Sequence, residues 1–318
     1  MKALVTGGAG FIGSTLCQTL LELGHRVVAF DDLSTGEISN IAALMESPGF
    51  ELVRGDCRRY EEVVPAARDV DIVYHLAARA EVRPEKASPR EMFEENVSAT
   101  QVLLEAARTG RARKVIFASS STVYGEAVVI PTPEDYAPLN PVSVYGATKL
   151  ASEAIISAYV GTYGFDAAIL RLANIVGPRC SHGVVHDFVE KLMRDPSSLR
   201  ILGDGRQRKS YLRVDDCARA FVVAGESCNG LQVFNVGSED QAEVTDIALA
   251  VADAMNVQPR LEYGVGAEGG RGWKGDVRTM LLDVGRIRKL GWSPSCGSLD
   301  AVRWMARGLI ESQGALDH

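Results

Sequence analysis

Apolar residues run through the first half of the chain in short uninterrupted stretches, separated by segments whose apolar positions recur with a helical period. The stretches at 2–6, 26–30, 50–53, 71–75, 113–118 and 167–172 predict strands, with helices between most of them. This alternation is the pattern of an α/β fold with a doubly wound parallel sheet. Beyond about residue 175 the texture changes to more Gly and Pro, shorter apolar runs, and loops such as Gly203-Asp-Gly205 and 264–275. A smaller C-terminal lobe is expected there, interwoven with the first domain. Residues 233–237 read as a late strand and 244–255 as a helix, together returning to the large domain. The last helix, 298–310, puts Leu299, Val302, Ala306 and Leu309 on one face. The expected division is 1–174 with a return segment at about 232–256, against 175–231 and 257–318.

The first strand runs straight into Gly7-Gly-Ala-Gly-Phe-Ile-Gly13, which opens a helix. Gly7 and Gly8 allow a tight turn, Gly10 lets backbone approach a pyrophosphate, and Gly13 lets the helix pack closely on its strand. The free N–H groups of the helix N-terminus then face the phosphates. The helix ends at Gly24, and the second strand ends in Asp31-Asp32, about 20 residues past the turn, where a carboxylate accepts the ribose hydroxyls of an adenosine. Strand, turn, helix and acid in this order predict a Rossmann-type dinucleotide site. No Arg or Lys closely follows Asp31 to receive a 2′-phosphate, which favours NAD over NADP.

Composition narrows the partners. The 318 residues are 46% hydrophobic and 24% charged, ordinary for a soluble globular chain large enough to bury a sizeable core. A net charge of −7 gives no reason to expect nucleic acid or an anionic membrane. The chain enters its first strand at once, without the pattern of a signal peptide, and no stretch approaches a membrane span. The six cysteines include no C-x-x-C pair, so buried thiols in a reducing cytoplasm are expected rather than a disulfide framework. No internal repeat or low-complexity segment is evident.

Candidate chemistry lies in Tyr145-Gly-Ala-Thr-Lys149. On a helix the phenol and ammonium sit one turn apart on one face. A tyrosine becomes a base near neutrality only if something favours phenolate, and a nearby cation does so. Lys149 is expected to supply one such charge and an oxidised nicotinamide another. Ser119-Ser-Ser-Thr122 ends an apolar strand, where ligands bind in open α/β sheets, and a hydroxyl there can help move a substrate proton to Tyr145. Cys180, His182 and His186 have metal-like spacing but lack a clear fourth ligand, so no metal is expected. Trp292 and Trp304 read as core.

Taken together, Thr6–Gly13, His75-Leu-Ala-Ala78, Ser119-Ser-Ser121, Tyr145-x-x-x-Lys149 and Arg171-x-x-Asn174-x-x-Gly-Pro-Arg179 resemble the extended short-chain dehydrogenase/reductase superfamily. Within it the chain is similar to the UDP-glucose 4-epimerases, especially the compact archaeal type. The resemblance implies Tyr145 as catalytic base, Lys149 as its partner and nicotinamide-ribose ligand, and Ser120 as the catalytic hydroxyl. It implies NAD contacts at Gly7, Gly10, Phe11, Ile12, Gly13, Asp31, Asp32, Leu33, Ser34, Thr35, Gly36, Asp56, Cys57, Leu76, Ala77, Ala78, Arg79 and Asn96, besides Tyr145 and Lys149. Nucleotide-sugar contacts fall at Ser120, Thr122, Tyr145, Asn174, Val184, Lys209, Tyr211 and Asp276. Two departures stand out. Lys209 replaces a common arginine, turning a bidentate grip into a point charge, and Trp273 stands in the usual arginine place, with Arg271 as the substitute.

The implied reaction is 4-epimerisation of a UDP-hexose through a transient 4-keto sugar, with NAD regenerated in each cycle. The related dehydratases and decarboxylases carry carboxylates after the catalytic hydroxyl, whereas Ser121 and Thr122 supply none. UDP-glucuronate and UDP-GlcNAc are the alternative substrates. The first needs a cation for its carboxylate, with Arg79 and Arg179 as candidates. Met280 falls where bulk excludes an acetamido group. A non-catalytic NAD-sensing protein is the remaining alternative, though such relatives typically lack the tyrosine. The resemblance also implies a homodimer through the segments around 95–108 and 148–160.

Overall fold

The structure, a computed structural model, describes residues 1–83, 88–264 and 268–314. Each predicted strand forms: β1 (Lys2–Thr6), β2 (Arg26–Asp31), β3 (Phe50–Arg54), β4 (Ile72–His75), β5 (Lys114–Ser120), β6 (Asp166–Leu172) and the late strand Leu231–Val236. They make one seven-stranded sheet in the order 231–236, β6, β5, β4, β1, β2, β3, with every pairing parallel. Strand order reverses beside β1, so a crevice opens at the carboxyl ends of the strands, the ligand position of such sheets. Thr6 pairs with Phe30 and His75, and His75 with Phe117, which aligns these ends along one edge.

Alternate residues of the strands feed two layers. On one face Val5, Ala29, Tyr74, Ile116 and Leu170 pack with Leu16 and Leu20 of the helix Phe11–Glu22 and Phe221 of the helix Val214–Ser227. On the other, Leu4, Phe30, Val73, Phe117 and Ile169 meet Val63, Leu103 and Ile156 from the helices Tyr60–Ala66, Ala99–Gly110 and Val144–Tyr163. Fully burying one such side chain stabilises the fold by about 1.5–3 kcal/mol, so the sheet is a rigid platform.

A third apolar cluster forms the small lobe. Val185, Phe188, Leu192, Ile247, Val251, Val302, Ala306 and Leu309 come from the helices Val184–Arg194, Val244–Ala254 and Ser298–Gly314, with Leu199 and Ile201 from a two-stranded sheet. The face predicted for the last helix packs here, with Leu299 at its edge.

The division differs from the sequence expectation. The helix Val214–Ser227 lies on the large sheet, because Cys217, Ala218, Phe221 and Ala224 match the strand surface beside the helix Phe11–Glu22. The segment 244–255, expected to return to the large domain, packs in the small lobe as the helix Val244–Ala254, where Ile247 and Val251 face the helices 184–194 and 298–314. Residues 265–267 of the predicted loop and 315–318 of the expected lobe lie outside the described residues.

Candidate active site

The glycine turn is built on close backbone approach. Gly7 sits at φ +70° and donates its N–H to Phe30 O at 2.9 Å. A Cβ at Gly13 would lie 2.0 Å from Gly7 O, so any side chain there would push the helix off the turn. The helix begins after Gly10, which offers no side-chain cap, leaving its first N–H groups directed at the crevice. Asp31, 7% exposed, accepts from Ala9 N and Leu33 N at 2.9 Å each. Burial raises its pKa, and those two donors oppose the rise.

From this turn a cavity of about 850 Å³ runs to the small lobe. Gly7, Gly10, Phe11, Ile12, Gly13, Asp31, Asp32, Ser34, Thr35, Asp56, Cys57, Leu76, Ala77, Ala78 and Arg79 line one end. Ser120, Thr122, Tyr145, Lys149 and Asn174 line its middle, and Val184, Lys209, Tyr211 and Asp276 its far end. Leu33, Gly36, Asn96 and Arg271, all expected contacts, do not line it. Leu33 has a left-handed backbone (φ 62°) and contributes its N–H to Asp31 instead. Gly36 lies behind Asp31, where a Cβ would come within 2.8 Å of the carboxylate. Asn96 is buried on a π-helical turn, accepting from Arg79 N (2.8 Å) and donating to Thr148 Oγ1 (2.9 Å). It thus ties the cofactor-side loop to the catalytic helix.

Ser120 ends β5, and its hydroxyl accepts from Thr122 N and Thr122 Oγ1 at 3.2 and 2.9 Å. Ser143 caps the helix Val144–Tyr163 by accepting from Gly146 N, so Tyr145 falls in the first turn and Lys149 one turn on. Lys149 Nζ donates to Ala118 O at 2.8 Å and lies 5.8 Å from the centre of the Tyr145 ring. Burial brings Lys149 down to about 7, opposed by Glu153. Desolvation pushes Tyr145 up to about 12, opposed by the Ser120 hydroxyl. In the protein without its cofactor desolvation therefore dominates at Tyr145.

Three residues that support the site had no role in the sequence reading, although Arg171 and His75 stand in its quoted motifs. Glu153 continues the Tyr145, Lys149 spacing by one more turn and is 4% exposed. Its carboxylate accepts from Ser119 Oγ at 2.5 Å and from Arg171 Nε and an Arg171 terminal nitrogen at 3.1 and 2.7 Å. Arg171 also donates to Tyr124 Oη and Glu134 O, both at 3.0 Å. The i, i+4, i+8 spacing of Tyr145, Lys149 and Glu153 was the available signal. His75 bonds Thr6 Oγ1 at 2.7 Å and Thr100 Oγ1 at 3.0 Å. Burial, with Lys149 second, lowers its pKa to about 3, so it is neutral.

Asn174 Nδ2 donates to Ser210 O at 3.2 Å, and at the far end Tyr211 N donates to Ser298 Oγ at 3.0 Å. Lys209 Nζ meets Asp276 Oδ1 at 2.5 Å, with the ammonium 5.2 Å from the Trp273 ring centre. Arg271 does not fill the arginine place. One terminal nitrogen pairs with Glu126 Oε1 at 2.5 Å, Nε donates to Asp276 O at 3.2 Å, and Trp273 lines the cavity instead. Cys180 Sγ donates to His182 O at 3.2 Å. Trp292 is buried as expected, donating to Asp216 O, whereas Trp304 is partly exposed under Arg213.

Residues 3–237 match the NAD dependent epimerase/dehydratase family. The chain belongs to this family. It is 37% identical over 309 residues to the UDP-glucose 4-epimerase of Mycolicibacterium smegmatis, covering 95% of this chain and 96% of that one. It is 33% identical to a putative UDP-glucose 4-epimerase of Methanocaldococcus jannaschii, covering 95% and 97%. A crystal structure of a UDP-galactose 4-epimerase is 42% identical and superposes with a TM-score of 0.87, covering 98% and 99%.

The cofactor of the epimerase/dehydratase family fits the residues present. Gly7 and Gly13 leave the space that a Cβ would fill, and the uncapped helix start offers N–H groups to a diphosphate. Asp31 and Asp32 line the cavity beside it. Among the described residues no helix is long and apolar enough to cross a membrane.

Proposed function

We propose that the chain catalyses the NAD-dependent 4-epimerisation of a UDP-hexose, interconverting UDP-glucose and UDP-galactose. One observation carries the reading: Ser120, Tyr145 and Lys149 meet at the end of β5 in the cavity that begins at the glycine turn. The names of the relatives support it.

The amides of Gly10 to Gly13 would hold the NAD diphosphate, Asp31 its ribose hydroxyls, and Lys149 the nicotinamide ribose. When bound, NAD supplies a reversible hydride acceptor at the sugar C4. Tyr145 would take the proton of the 4-hydroxyl as hydride leaves C4, and would return it to that same oxygen when the turned 4-keto sugar takes the hydride back on its other face, with Ser120 bonded to the reacting oxygen. Because Tyr145 stands at about 12 in the protein alone, its activation depends on positive charge brought beside it. Lys149, at about 7, supplies part of that charge. The lobe keeps the sugar tethered through its nucleotide while the keto sugar turns over.

Ser121 and Thr122 hold no carboxylate, which disfavours the dehydratase and decarboxylase readings. A uronate needs an unengaged cation. Arg179 is tied to Asn40 O and Thr15 Oγ1 at 3.0 and 2.8 Å, and Arg79 lies 3.6 Å from Glu95, so UDP-glucuronate ranks below the neutral hexoses. Met280 lines the cavity, 8% exposed, and weighs against an acetamido group. The intact trio weighs against an NAD-sensing protein without activity. A homodimer through the segments around 95–108 and 148–160, in the cytoplasm, completes the proposal.

The test is incubation of purified protein with UDP-glucose, UDP-GlcNAc or UDP-glucuronate, with products resolved by chromatography. The 4-epimer of UDP-glucose, at unchanged mass, is the expected product. A product lighter by water or carbon dioxide, or turnover of UDP-glucuronate alone, overturns the reading.

A further inference from the structure

A nucleotide sugar, the ligand of the proposed reaction and the premise of this subsite, carries a diphosphate that needs donors at the far end of the cavity. The chain lacks an arginine at position 273. Trp273 stands there and lines the cavity. Its indole Nε1 is buried and, among the described residues, finds no hydrogen-bond partner. Native structures leave few buried donors unmet, because an unpaired one is costly, so this N–H awaits an acceptor. Two cations lie within reach of the same ring: Lys209 Nζ at 5.2 Å and the Arg83 guanidinium at 5.5 Å from its centre. Both line the cavity.

The two differ in what holds them. Lys209 is anchored by Asp276. The Arg83 guanidinium rests, among the described residues, on the ring itself. Attraction to one aromatic ring offsets the repulsion between neighbouring cations and leaves both heads near the cavity. Arg271, two residues from Trp273, is held by Glu126 and the Asp276 carbonyl.

The geometry points to an anion subsite in which the Trp273 indole N–H donates to the substrate diphosphate, with the Lys209 ammonium and the Arg83 guanidinium supplying the charge. Trp273 thus provides direction where an arginine would provide a fork, and Arg83 supplies the missing guanidinium from the other side of the chain's fold. Arg271 takes no part.

Calorimetric titration of the full chain with UDP, and separately with uridine, tests this. Trp273→Phe keeps the ring and removes the donor. It is expected to weaken UDP binding about tenfold, the scale of a hydrogen bond to a charged group, and to leave uridine binding unchanged. Arg83→Ala is expected to do the same, and Arg271→Ala to stay within about twofold of wild type for both ligands. Trp273→His, which restores an N–H, is expected to recover part of the loss. The subsite is overturned if Trp273→Phe binds UDP like wild type, if it loses uridine as much as UDP, or if Arg271→Ala loses more than Arg83→Ala. Should Trp273→Phe fail to fold, the Arg83 and Arg271 variants decide alone. A wild-type chain that binds UDP with these variant effects, yet epimerises no UDP-sugar, leaves the subsite standing and removes the epimerase reading. One that binds no UDP overturns both.

Discussion

The sheet-side wall of the cavity and its lobe-side wall are built differently. On the sheet side, Lys149 lines the cavity and is backed by Glu153, Arg171 and His75, which do not line it; all four are 1–5% exposed, and their polar atoms are bonded across β1, β4, β5, β6 and the helix Val144–Tyr163. On the lobe side, Lys209 stands on the two-residue strand Arg208–Lys209, paired with equally short strands at Ala242–Glu243 and Thr279–Met280. Beside that wall, outside the cavity lining, Arg271 pairs with Glu126, with side chains 27% and 44% exposed. Proton transfer at Tyr145 needs atoms fixed by a packed platform. Holding a flexible nucleotide sugar needs donors that adjust, and short strands supply them.

The largest effect is expected from Glu153→Gln, which leaves the Arg171 guanidinium buried without its carboxylate. Breaking a buried pair by removing one partner costs about 3–5 kcal/mol. The denaturation midpoint should fall accordingly. A loss under about 1 kcal/mol would mean that the sheet-side wall is no more rigid than a surface pair, and the contrast would fail.

Tyr145→Phe should separate chemistry from stability on the same wall. Turnover is expected to drop at least about a hundredfold, the scale of acid–base catalysis, with NAD retained and thermal stability near wild type. Near-normal turnover removes Tyr145 as the base.

The same contrast decides what could be read in the sequence. The sheet was legible because buried parallel strands are continuous apolar runs, and the glycine turn because its glycines answer backbone geometry, as Gly13 against Gly7 O demonstrates. The helix Val214–Ser227 was misassigned because an apolar stripe declares that it is buried, without declaring against what. Glu153 stayed hidden, and His75 stood in a quoted motif without a role, for a related reason: a buried polar residue is marked by its partners, and Ser119, Arg171, Thr6 and Thr100 lie far from them along the chain. Arg271 was the natural substitute at the Trp273 position by proximity, until Glu126, distant in sequence, proved to hold it.

Acid should probe the sheet-side wall through His75. Its folded pKa, about 3, lies below the ordinary value of 6.5, so between these values the unfolded chain binds the extra proton. Stability contributed by neutral His75 is therefore present above about pH 6.5 and lost as pH falls towards 3, at up to about 1.4 kcal/mol per pH unit. His75→Gln retains groups for Thr6 and Thr100 and removes the titration. Its stability is expected to fall less steeply than that of wild type between pH 6 and 4, measured by urea unfolding. Parallel curves would mean that His75 is not held neutral.

The smallest effect is expected from Glu126→Gln on the lobe side. A partly exposed pair contributes about 0–1 kcal/mol, so thermal stability should hardly change and turnover should stay within about twofold. The informative readout is UDP affinity. If Arg271 is held clear of the ligand by geometry, through Nε to the Asp276 carbonyl as much as by Glu126, removing one carboxylate leaves affinity unchanged. A rise of several-fold would mean that Glu126 alone restrains an arginine able to swing to the phosphates. The lobe-side wall would then hold its charge in reserve instead of in the Trp273, Lys209 and Arg83 group.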